Sequence, residues 1–442
     1  MTAKQLKNSI LKEAVQGKLI KQNKEDEPAS ELLKRIKTER DKLIKAGKIK
    51  PNKNISSIYR KGNSFYEKIG KEEICIDEEL PFEIPKTWEW AKLSFVSDMF
   101  TGNSINENEK NLKYKGLSEG YFYVATKDIN FDNKINYDNG VRIPKDTEKF
   151  RIAPKNSILF CVEGGSAGKK IALTDKDICF GNKLCCFISY GIDIKYLYYY
   201  LQNPIFIYSF KRNTTGIIGG VSINTLKQMF LPLPPIEEQK RIVNKLNEVM
   251  PLIDEYEKLE RELNELDKKF PERLKKSILK EAFDGKLIKS SDKWKELTFS
   301  KCVNVVGIKH KIKRKNYLKN GKYPIIDQSY NFISGYSSNK NILIEIKKPV
   351  IIFGDHTRCF KFVDFDFIAG ADGIKILEPK EFFNEKLFYY FCLSLNIPNR
   401  GYSRHYKFLT KTKMRIPPIE EQKRIVEKLD KLMELCEELK SG

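Results

Sequence analysis

The sequence predicts an α/β (α+β) protein with two similar globular domains separated by long antiparallel helices, a coiled-coil-like spacer, in a circularly permuted pseudo-two-fold repeat. Two observations predict this fold. The ten residues PPIEEQKRIV at 234–243 recur without change at 417–426, and residues 6–21 closely match residues 274–289. Each end of the chain therefore supplies the half of a repeat that the other end lacks, so joining the termini would give two equivalent helical units.

The repeats set the expected order of the domains along the chain. Residues 1–22 form one half of a distal helical region, and the helix at 414–442 forms its other half. Between them we expect a helical extension and linker, a first globular domain, a central helical spacer and a second globular domain, at 23–79, 80–233, 234–290 and 291–413. Within the linker, residues 51–79 are polar and interrupted by Gly and Asn, which indicates a loosely packed extension.

The repeated segment PPIEEQKRIV predicts the start of a helix. Proline is tolerated in the first turn, and the two glutamates that follow favour the positive end of the helix dipole. After the first copy, apolar residues follow at spacings of three and four from Leu246 to Phe270. This pattern predicts a helix of roughly 33 residues, about 50 Å long, with an apolar seam for another helix. The second copy continues the same seam to Leu439.

The two variable segments are predicted to share one fold. Short apolar runs bounded by Gly, Asn and Asp are typical of strands and occur in both. Residues Trp294–Phe299 loosely echo Trp90–Phe95 at the start of each segment. A tyrosine-rich helix is predicted near 196–201 in the first segment and near 386–391 in the second. We expect these aromatic residues to lie in the core rather than to serve as stacking platforms.

The composition favours a polyanionic partner. The net charge is +22, and residues 291–413 hold 23 Lys and Arg against 11 Asp and Glu. This excess favours nucleic acid, although a Lys-, Ile- and Asn-rich chain from an AT-rich genome could reach a similar charge. The nine cysteines include no CxxC pair, which indicates reduced thiols and argues against a metal site. No run is long enough to cross a bilayer, so we expect a cytoplasmic protein.

Several motifs together resemble the DNA specificity subunit of type I restriction-modification systems. They are the paired PPIEEQKRIV helix starts, the SILKEAxxGKLI repeats at 9–20 and 277–288, the segment PFEIPKTWEW at 81–90, and the two divergent domains. The resemblance covers essentially the whole chain. It implies two target recognition domains, each of which reads one half of a gapped, bipartite site in double-stranded DNA.

The resemblance also implies the partners of such a chain. The spacer would dock two methyltransferase subunits, and restriction subunits with translocase activity would join them. This chain itself would have no catalytic residue, cofactor or metal, whereas the partners would use S-adenosylmethionine, ATP and Mg²⁺ for adenine methylation and ATP-dependent cleavage. A rigid spacer would fix the unread gap between the half-sites, so a longer spacer would lengthen the gap.

The charged face of the repeated helix start is a candidate docking surface for the methyltransferase. An ordinary solvated face is the alternative. The candidate docking residues occupy equivalent positions in the two copies and are Glu238, Gln239 and Arg241, with Glu421, Gln422 and Arg424.

In the first globular domain, two basic loops are candidate DNA contacts. The first contains Gly164, Gly165, Ser166, Lys169 and Lys170. It is one residue too short for a phosphate-binding GxxxxGK loop and lacks the Ser or Thr that follows, so nucleotide binding is rejected. It would contact DNA phosphate or a groove, or it is an ordinary hairpin. The second loop contains Lys211, Arg212 and Asn213.

The second globular domain offers the matching loops and a basic cluster. Arg358 has the geometry to pair with guanine, and its neighbours His356 and Thr357 could reach a base or a phosphate. Basic, hydroxyl and aromatic groups interleave in the second loop, at Arg400, Tyr402, Ser403, Arg404 and His405. The basic cluster would neutralise phosphates or form a solvated loop, and it contains Lys311, Lys313 and Arg314.

Two alternatives from other classes remain open. A self-contained DNA nuclease could use Asp327 with Glu345 and Lys347 to bind Mg²⁺, although an ExK triplet is expected by chance in such a charged chain. A methyltransferase is disfavoured because Asn203-Pro204-Ile205-Phe206 lacks the second proline of the catalytic motif. The other alternative is an RNA-binding adaptor. Nuclease assays of the purified chain, and competition between duplex DNA and RNA, separate these interpretations.

Overall fold

The structure is a computed structural model, which describes residues 1–47, 56–215, 219–289, 291, 293–370, 373–399, 401 and 403–441. The chain divides into two compact units, Met1–Arg261 (unit 1) and Glu262–Gly442 (unit 2). Each unit combines helices with small β-sheets, as the sequence predicts. In the described part of the chain, no helix combines the length and apolar composition needed to cross a membrane.

The helices of unit 1 fall into two groups, the helices near the repeats and the short helices of the globular part. In chain order they are α1 (Ala3–Val15), α2 (Ala29–Lys45), α3 (Leu93–Val96), α4 (Glu107–Glu109), α5 (Ile194–Tyr200), α6 (Pro204–Arg212) and α7 (Ile223–Lys227). The helix α8 (Ile236–Phe283) begins in unit 1 and ends in unit 2. Its start at Ile236 confirms the helix start that the sequence predicts after Pro234-Pro235.

The strands of unit 1 are short. In chain order they are β1 (Ser57–Lys61), β2 (Ser64–Ile69), β3 (Glu72–Cys75), β4 (Glu89–Lys92), β5 (Ser97–Thr101), β6 (Tyr121–Val124), β7 (Arg142–Ile143), β8 (Ile152–Ala153), β9 (Ile158–Cys161), β10 (Ile171–Leu173), β11 (Ile178–Phe180), β12 (Leu184–Ser189) and β13 (Phe230–Leu233). They form four sheets with the orders β1-β2-β3, β10-β9-β12-β5, β7-β6-β11-β8 and β13-β4 in the described residues.

Unit 2 repeats this plan. Its helices are α9 (Phe299–Cys302), α10 (Glu385–Ser394), α11 (Tyr406–Thr410) and α12 (Ile419–Ser441). Its strands are β14 (Lys295–Thr298), β15 (Val303–Val306), β16 (Tyr323–Ile326), β17 (Gly335–Ser337), β18 (Leu343–Ile344), β19 (Val350–Gly354), β20 (Phe360–Val363), β21 (Phe367–Ala369), β22 (Ile374–Pro379) and β23 (Lys413–Ile416).

Three of the four sheets of unit 1 recur in unit 2 with the same strand order. The order β10-β9-β12-β5 matches β20-β19-β22-β15, the order β7-β6-β11-β8 matches β17-β16-β21-β18, and β13-β4 matches β23-β14. The only parallel pairs among the described strands, β6 with β11 and β16 with β21, also correspond. These matches confirm the prediction of one fold with divergent surfaces.

The predicted register at the domain entry needs a correction. The strands β4 and β14 pair with β13 and β23, which places Glu89 opposite Leu233 and Lys295 opposite Ile416. Trp294 therefore corresponds to Trp88, not to Trp90 as the sequence echo indicates. The sequence WEW at 88–90 offers two tryptophans, and a loose match cannot choose between them.

The helical repeats pack in the same way within each unit. In unit 1, Leu11 and Ala14 of α1 share a buried cluster with Ile242 and Leu246 of α8. In unit 2, the equivalent SILKEA segment near the end of α8 packs against α12 through Leu279, Ala282, Ile425 and Leu429. The circularly permuted repeat predicted from sequence is therefore visible as two equivalent helix pairs.

Helix α8 is longer than the sequence predicts. It continues through Pro271 to Phe283 and contains 48 residues, roughly 72 Å at about 1.5 Å per residue. The predicted seam is buried only as far as Ile253. Beyond it, the apolar seam residues are 40% to 59% exposed in the described structure: Tyr256, Leu259, Leu263, Leu266 and Phe270.

Residues 57–75 differ from the loosely packed linker that the sequence predicts. They form the antiparallel sheet β1-β2-β3, with two-residue turns at 62–63 and 70–71. The sheet covers Trp90 through Ile58 and Phe65. The first residues of the two turns, Gly62 and Gly70, have φ values of +66° and +63°, the left-handed conformation that hairpin turns require.

Candidate nucleic-acid interface

The two candidate loops of unit 1 lie side by side. The first loop joins the antiparallel strands β9 and β10. The Gly164 N–H donates to the carbonyl of Gly219 at 2.9 Å, and the Val221 N–H donates to the carbonyl of Val162 at 3.0 Å. The fold therefore brings the segment after α6 against the first loop. The first loop is itself a hairpin connection, as the alternative to a DNA contact expects.

The side chains of these loops differ in exposure. Lys169 is exposed, and its Nζ donates to the carbonyl of Gly165 at 2.9 Å. Lys170 is half-buried, and its Nζ donates to the carbonyl of Thr126 at 2.9 Å. Gly164, Gly165 and Ser166 provide mainly backbone at the turn, with Gly165 exposed. The positive charge at this surface therefore comes from lysines anchored by backbone carbonyls.

The end of α6 contributes a second basic group. Lys211, Arg212 and Asn213 are all exposed at the C-terminus of this helix. The Arg212 guanidinium lies 5.9 Å from the centroid of the Tyr208 ring, and Tyr208 is itself 65% exposed. A cation beside an exposed aromatic ring suits contact with a phosphate backbone and neighbouring bases.

Unit 2 brings its two candidate loops together in the same way. The Arg358 Nη1 donates to the carbonyl of Ile397 at 3.2 Å. The His405 N–H donates to Asp355 Oδ1 at 2.7 Å, and His405 Nδ1 lies 2.8 Å from the Asp355 carbonyl oxygen. These bonds join the loop after β19 to the segment before α11, the counterparts of the paired loops in unit 1.

Arg358 is the most constrained of the candidate residues. Its φ is +63°, a left-handed conformation that is uncommon for a residue with a side chain. Its Nε is buried without a hydrogen-bond partner, while Nη1 is held by Ile397. Strained backbone persists where the surrounding structure determines it, and such positions cluster at functional sites.

The prediction that His405 contacts DNA is wrong. Its side chain is fully buried and contacts Asp355, so it stabilises the loop and has no surface with which to touch DNA. Arg404 is exposed and Ser403 is half-buried. Arg400 and Tyr402 lie outside the described residues.

The other candidates in unit 2 divide into anchored and exposed groups. Thr357 donates through Oγ1 to the carbonyl of Gln328 at 2.6 Å, and the His356 N–H donates to Gln328 Oε1 at 3.4 Å. The basic cluster is exposed at Lys311, Lys313 and Arg314. Between these residues, the Ile312 N–H donates to the carbonyl of Ala369 at 3.0 Å, which ties the cluster to the end of β21.

The candidate docking residues of unit 1 are occupied inside the unit. Glu238 is 1% exposed, and its Oε2 accepts the indole N–H of Trp88 at 3.0 Å. Its Oε1 accepts from Gln22 at 2.6 Å. Gln239 is fully buried and accepts the backbone N–H of Asp193 at 2.9 Å. Burial raises the pKa of Glu238, while the Trp88 and Gln22 hydrogen bonds act in the opposite direction.

The same contacts recur in unit 2. Glu421 Oε2 accepts the indole N–H of Trp294 at 2.8 Å, and its Oε1 accepts from the backbone and hydroxyl of Ser291. Gln422 is 1% exposed and accepts the backbone N–H of Asn384 at 2.7 Å. Hydrogen bonding from the Ser291 hydroxyl lowers the pKa of Glu421.

These contacts correct the docking interpretation. Glu238, Gln239 and Gln422 are buried, and Glu421 is half-buried with its carboxylate occupied. Arg241 donates to the Asp26 carboxylate through both terminal guanidinium nitrogens, Nη1 to Oδ1 at 3.1 Å and Nη2 to Oδ2. The second glutamate and the glutamine of the repeated EEQ triplet therefore fasten each helix start to its own globular part, whereas the first glutamate, Glu237 or Glu420, is exposed. Arg424 is exposed and stays a candidate docking residue.

The residues considered for catalysis also have structural roles. Asp327 is 6% exposed and accepts from Ser329 and Ser334 of its own loop. Asn203 is fully buried and caps α6 through the Ile205 N–H at 2.8 Å. In the described residues, no group of three or more His, Cys, Asp or Glu side chains could hold a metal ion.

An exposed aromatic residue beside the candidate loops of each unit was not predicted from the sequence. The β6–β7 loop of unit 1 exposes Phe131, and the β16–β17 loop of unit 2 exposes Tyr330, at 69% and 79%. Both aromatics stand among turn residues, in NFDN at 130–133 and SYNF at 329–332. A large aromatic residue inside such a turn sequence is the signal that could have identified them.

Comparisons with known proteins agree on one family. Residues 85–266 and 292–442 match the family model of the type I restriction modification DNA specificity domain. The chain is 27% identical over 277 residues to the type I restriction enzyme EcoAI specificity subunit of Escherichia coli, over 58% of this chain and 40% of that protein. It therefore spans about two-fifths of the length of that relative.

Two further similarities extend over more of the chain. The putative type I restriction enzyme MjaX specificity subunit of Methanocaldococcus jannaschii is 26% identical over 396 residues, 80% of this chain and 89% of the relative. A solved structure that describes complex assembly and conformational transition of the type I R-M system matches with a TM-score of 0.56 and 18% identity. That match covers 82% of this chain and 94% of the other and shows a shared fold.

Proposed function

The chain belongs to the type I restriction modification DNA specificity family, and we propose that it is the non-catalytic DNA-binding subunit of such a complex. In this role it reads a gapped, bipartite sequence in double-stranded DNA. It directs adenine methylation and ATP-dependent cleavage by partner subunits, which use S-adenosylmethionine, ATP and Mg²⁺. The complex acts in the cytoplasm and contains two methyltransferase subunits together with restriction subunits.

The observation that carries the proposal is the duplicated surface. Three sheets have the same strand order in both units, and each unit brings together two loops that are far apart in sequence. In each unit these loops carry basic side chains, and the loop sequences differ between the two units. Similar scaffolds with different loops suit a protein that reads two different half-sites, because loops on a rigid scaffold carry the binding residues and vary more than the scaffold does.

The proposed docking surface for the methyltransferase contains fewer residues of the repeated helix start than the sequence predicts. The second glutamate and the glutamine of each EEQ triplet are occupied within each unit, so these side chains are not available to a second protein. The exposed apolar stretch of α8 from Tyr256 to Phe270 and the exposed Arg424 remain. An exposed heptad-like seam favours packing against helices of a partner, which supports methyltransferase docking along this helix.

The proposal is tested by expressing the chain with its cognate methyltransferase in a host that lacks adenine methylation. Single-molecule sequencing should then detect methyladenine in one gapped, two-part motif, and only when both proteins are present. Alanine at Arg358, which lies in unit 2, should relax one half of that motif and leave the other half unchanged. Methylation at the same motif without this chain, or at a contiguous motif, would contradict the proposal.

A further inference from the structure

Each unit displays a strongly exposed aromatic side chain in the corresponding loop of the fold. Phe131 lies in the loop between β6 and β7, and Tyr330 lies in the loop between β16 and β17. These strand pairs correspond in the two sheet orders. The side chains are 69% and 79% exposed, although the surrounding loop sequences are unrelated.

The loop that carries Phe131 is ordered by its own side chains. Asn130 Oδ1 accepts the N–H groups of Asp132 and Lys134, at 3.1 and 2.9 Å. The Asn130 N–H in turn donates to the carbonyl of Lys134 at 3.0 Å. Phe131 therefore stands at the tip of a closed turn, where it cannot retreat into the core without breaking these bonds.

Phe131 also adjoins the first candidate DNA loop. The Lys170 ammonium lies 5.1 Å from the centroid of its ring, and the same ammonium donates to the carbonyl of Thr126 at 2.9 Å. The contact between a cation and the ring face orients the aromatic side chain. One surface thus presents an aromatic ring, a lysine and the backbone of the β9–β10 loop together.

The loop that carries Tyr330 is held by a different network. Lys361 is 4% exposed, and its ammonium donates to the carbonyls of Asp327 and Asn331, at 2.8 and 2.5 Å. Asp327 Oδ1 accepts the N–H of Ser329 at 2.9 Å. A buried ammonium is costly unless it is hydrogen-bonded, so the bonds of Lys361 to these carbonyls hold the loop in one conformation.

Tyr330 adjoins the matching candidate loop of unit 2. Its hydroxyl donates to the carbonyl of Thr357 at 3.4 Å, and the next residue is the strained Arg358. In both units the exposed aromatic residue therefore contacts the candidate loop, through the Lys170 ammonium for Phe131 and through the Thr357 carbonyl for Tyr330.

We propose that Phe131 and Tyr330 are specificity-determining residues, each of which makes apolar contact with bases of one DNA half-site. The inference rests on the proposed function. An aromatic side chain buries a large area on contact, and a rigid loop loses little freedom when it binds. Apolar contact with thymine methyl groups or insertion at a base step both use such a side chain.

The test measures affinity for duplex DNA that contains the motif found by methylation sequencing. The variants are Phe131→Ala and Tyr330→Ala in the full chain, bound to its methyltransferase partner. Each should weaken binding by about 10- to 100-fold. The slope of affinity against salt should not change, because an aromatic side chain releases no counterions. Tyr330→Phe should keep most of the affinity because it keeps the ring.

Matched controls separate this role from general surface effects. Leu112 of unit 1 and Phe382 of unit 2 are 86% and 44% exposed, and alanine at either should leave affinity within about two-fold. With DNA in which only one half-site is scrambled, only the aromatic variant of the unit that reads the intact half-site should weaken binding further. The melting temperature of every variant should equal that of the wild type.

The possible failures are distinct. If the wild-type complex does not prefer the two-part motif, the proposed function fails. If it does, and both alanine variants bind the motif like the wild type, the proposed function stands and the role of Phe131 and Tyr330 is refuted. Weaker binding with an equal loss on unrelated DNA would also refute the role, because the residues would then not determine specificity.

Discussion

Replacement of Trp88 by phenylalanine should destabilise unit 1 through the carboxylate it leaves behind. The indole N–H of Trp88 is the donor to Glu238 Oε2 at 3.0 Å, and Glu238 is 1% exposed. Phenylalanine keeps an aromatic ring but removes the donor, and no water can replace it without opening the core. Loss of one partner of a buried charged group, with the small cavity left by the smaller ring, should cost about 2–4 kcal/mol.

The repeat supplies a matched control for this change. Trp294→Phe removes the equivalent bond to Glu421, but that carboxylate is half-buried and still accepts from the backbone and hydroxyl of Ser291. The cost there should be about 1 kcal/mol. Two variants with the same chemistry are thus expected to differ because their carboxylates differ in burial and in remaining donors.

The cost of Trp88→Phe should also depend on pH. Burial already raises the pKa of Glu238, and the Trp88 bond opposes this rise, so its loss raises the folded-state pKa further. Below the unfolded pKa of about 4.3, Glu238 is protonated in both states and the missing bond costs little. As pH rises through the folded-state pKa, the buried carboxylate becomes charged and the stability of the variant falls relative to the wild type.

Hydrogen exchange followed by mass spectrometry measures the effect in each unit separately. At pH 8, peptides of unit 1 should lose protection in the Trp88 variant, and at pH 5 the loss should be smaller after correction for intrinsic exchange rates. Peptides of unit 2 should report the milder Trp294 variant. Equal losses for the two variants, or a loss in the Trp88 variant that does not change with pH, would refute the reasoning.

Three further changes test the same structure. Gln239→Leu leaves the Asp193 N–H without its acceptor and should lower the free energy of unfolding by about 1–3 kcal/mol in urea titrations, so an unchanged midpoint would contradict the role of this amide. Arg241→Ala removes the charged donor from the carboxylate of Asp26, whose side chain is 6% exposed and keeps the Asn23 amide at 3.4 Å, and should destabilise by about 1–3 kcal/mol, whereas Arg424→Ala at the exposed equivalent position should change thermal stability by less than about 0.5 kcal/mol. Alanine at all three residues of the basic cluster should make the slope of log affinity against log salt shallower by about 2–3, and an unchanged slope would show that the cluster touches no phosphate; these residues are Lys311, Lys313 and Arg314.

The sequence predicts the starts of the repeated helices well, because the signals are local. Two prolines followed by glutamates mark a first turn, and α8 and α12 begin at Ile236 and Ile419. The position at which α8 ends cannot be predicted from local sequence signals. Proline removes a hydrogen bond from a helix interior and its ring crowds the preceding turn, at a cost of about 3 kcal/mol. The packing of residues such as Leu279 on α12 offsets this cost, so the helix continues through Pro271.

The docking interpretation failed for a different reason. Glutamate and glutamine near a helix start are usually solvated, and nothing in the triplet reveals that Glu238 faces a tryptophan 150 residues earlier in the chain. The identical recurrence of the triplet in both copies indicated that it has the same structural role in each unit. Because Trp88 and Trp294 stand at equivalent positions, the corrected register would have paired each tryptophan with its own repeat.

The candidate site was predictable as a set of loops but not as a geometry. Basic residues near 164–170 and 356–358 stand out in the sequence, and the structure leaves Lys169 exposed and Lys170, His356 and Arg358 half-buried. Burial of His405 depends on Asp355, a contact across 50 residues. The exposure of Phe131 and Tyr330 depends on hydrogen bonds within their turns, so the aromatic residues could not be distinguished from core residues by type alone.

The identical helix starts have a consequence for how the chain acquires its native state. Each PPIEEQKRIV segment must find its own tryptophan, 150 residues away in unit 1 and 127 residues away in unit 2, and the ten residues themselves do not distinguish the two. During synthesis from the N-terminus the first copy can dock on Trp88 before the second copy exists, because domains generally fold in order as they emerge. A chain refolded from denaturant lacks this order, so exchanged helices should form as kinetic traps and slow its recovery.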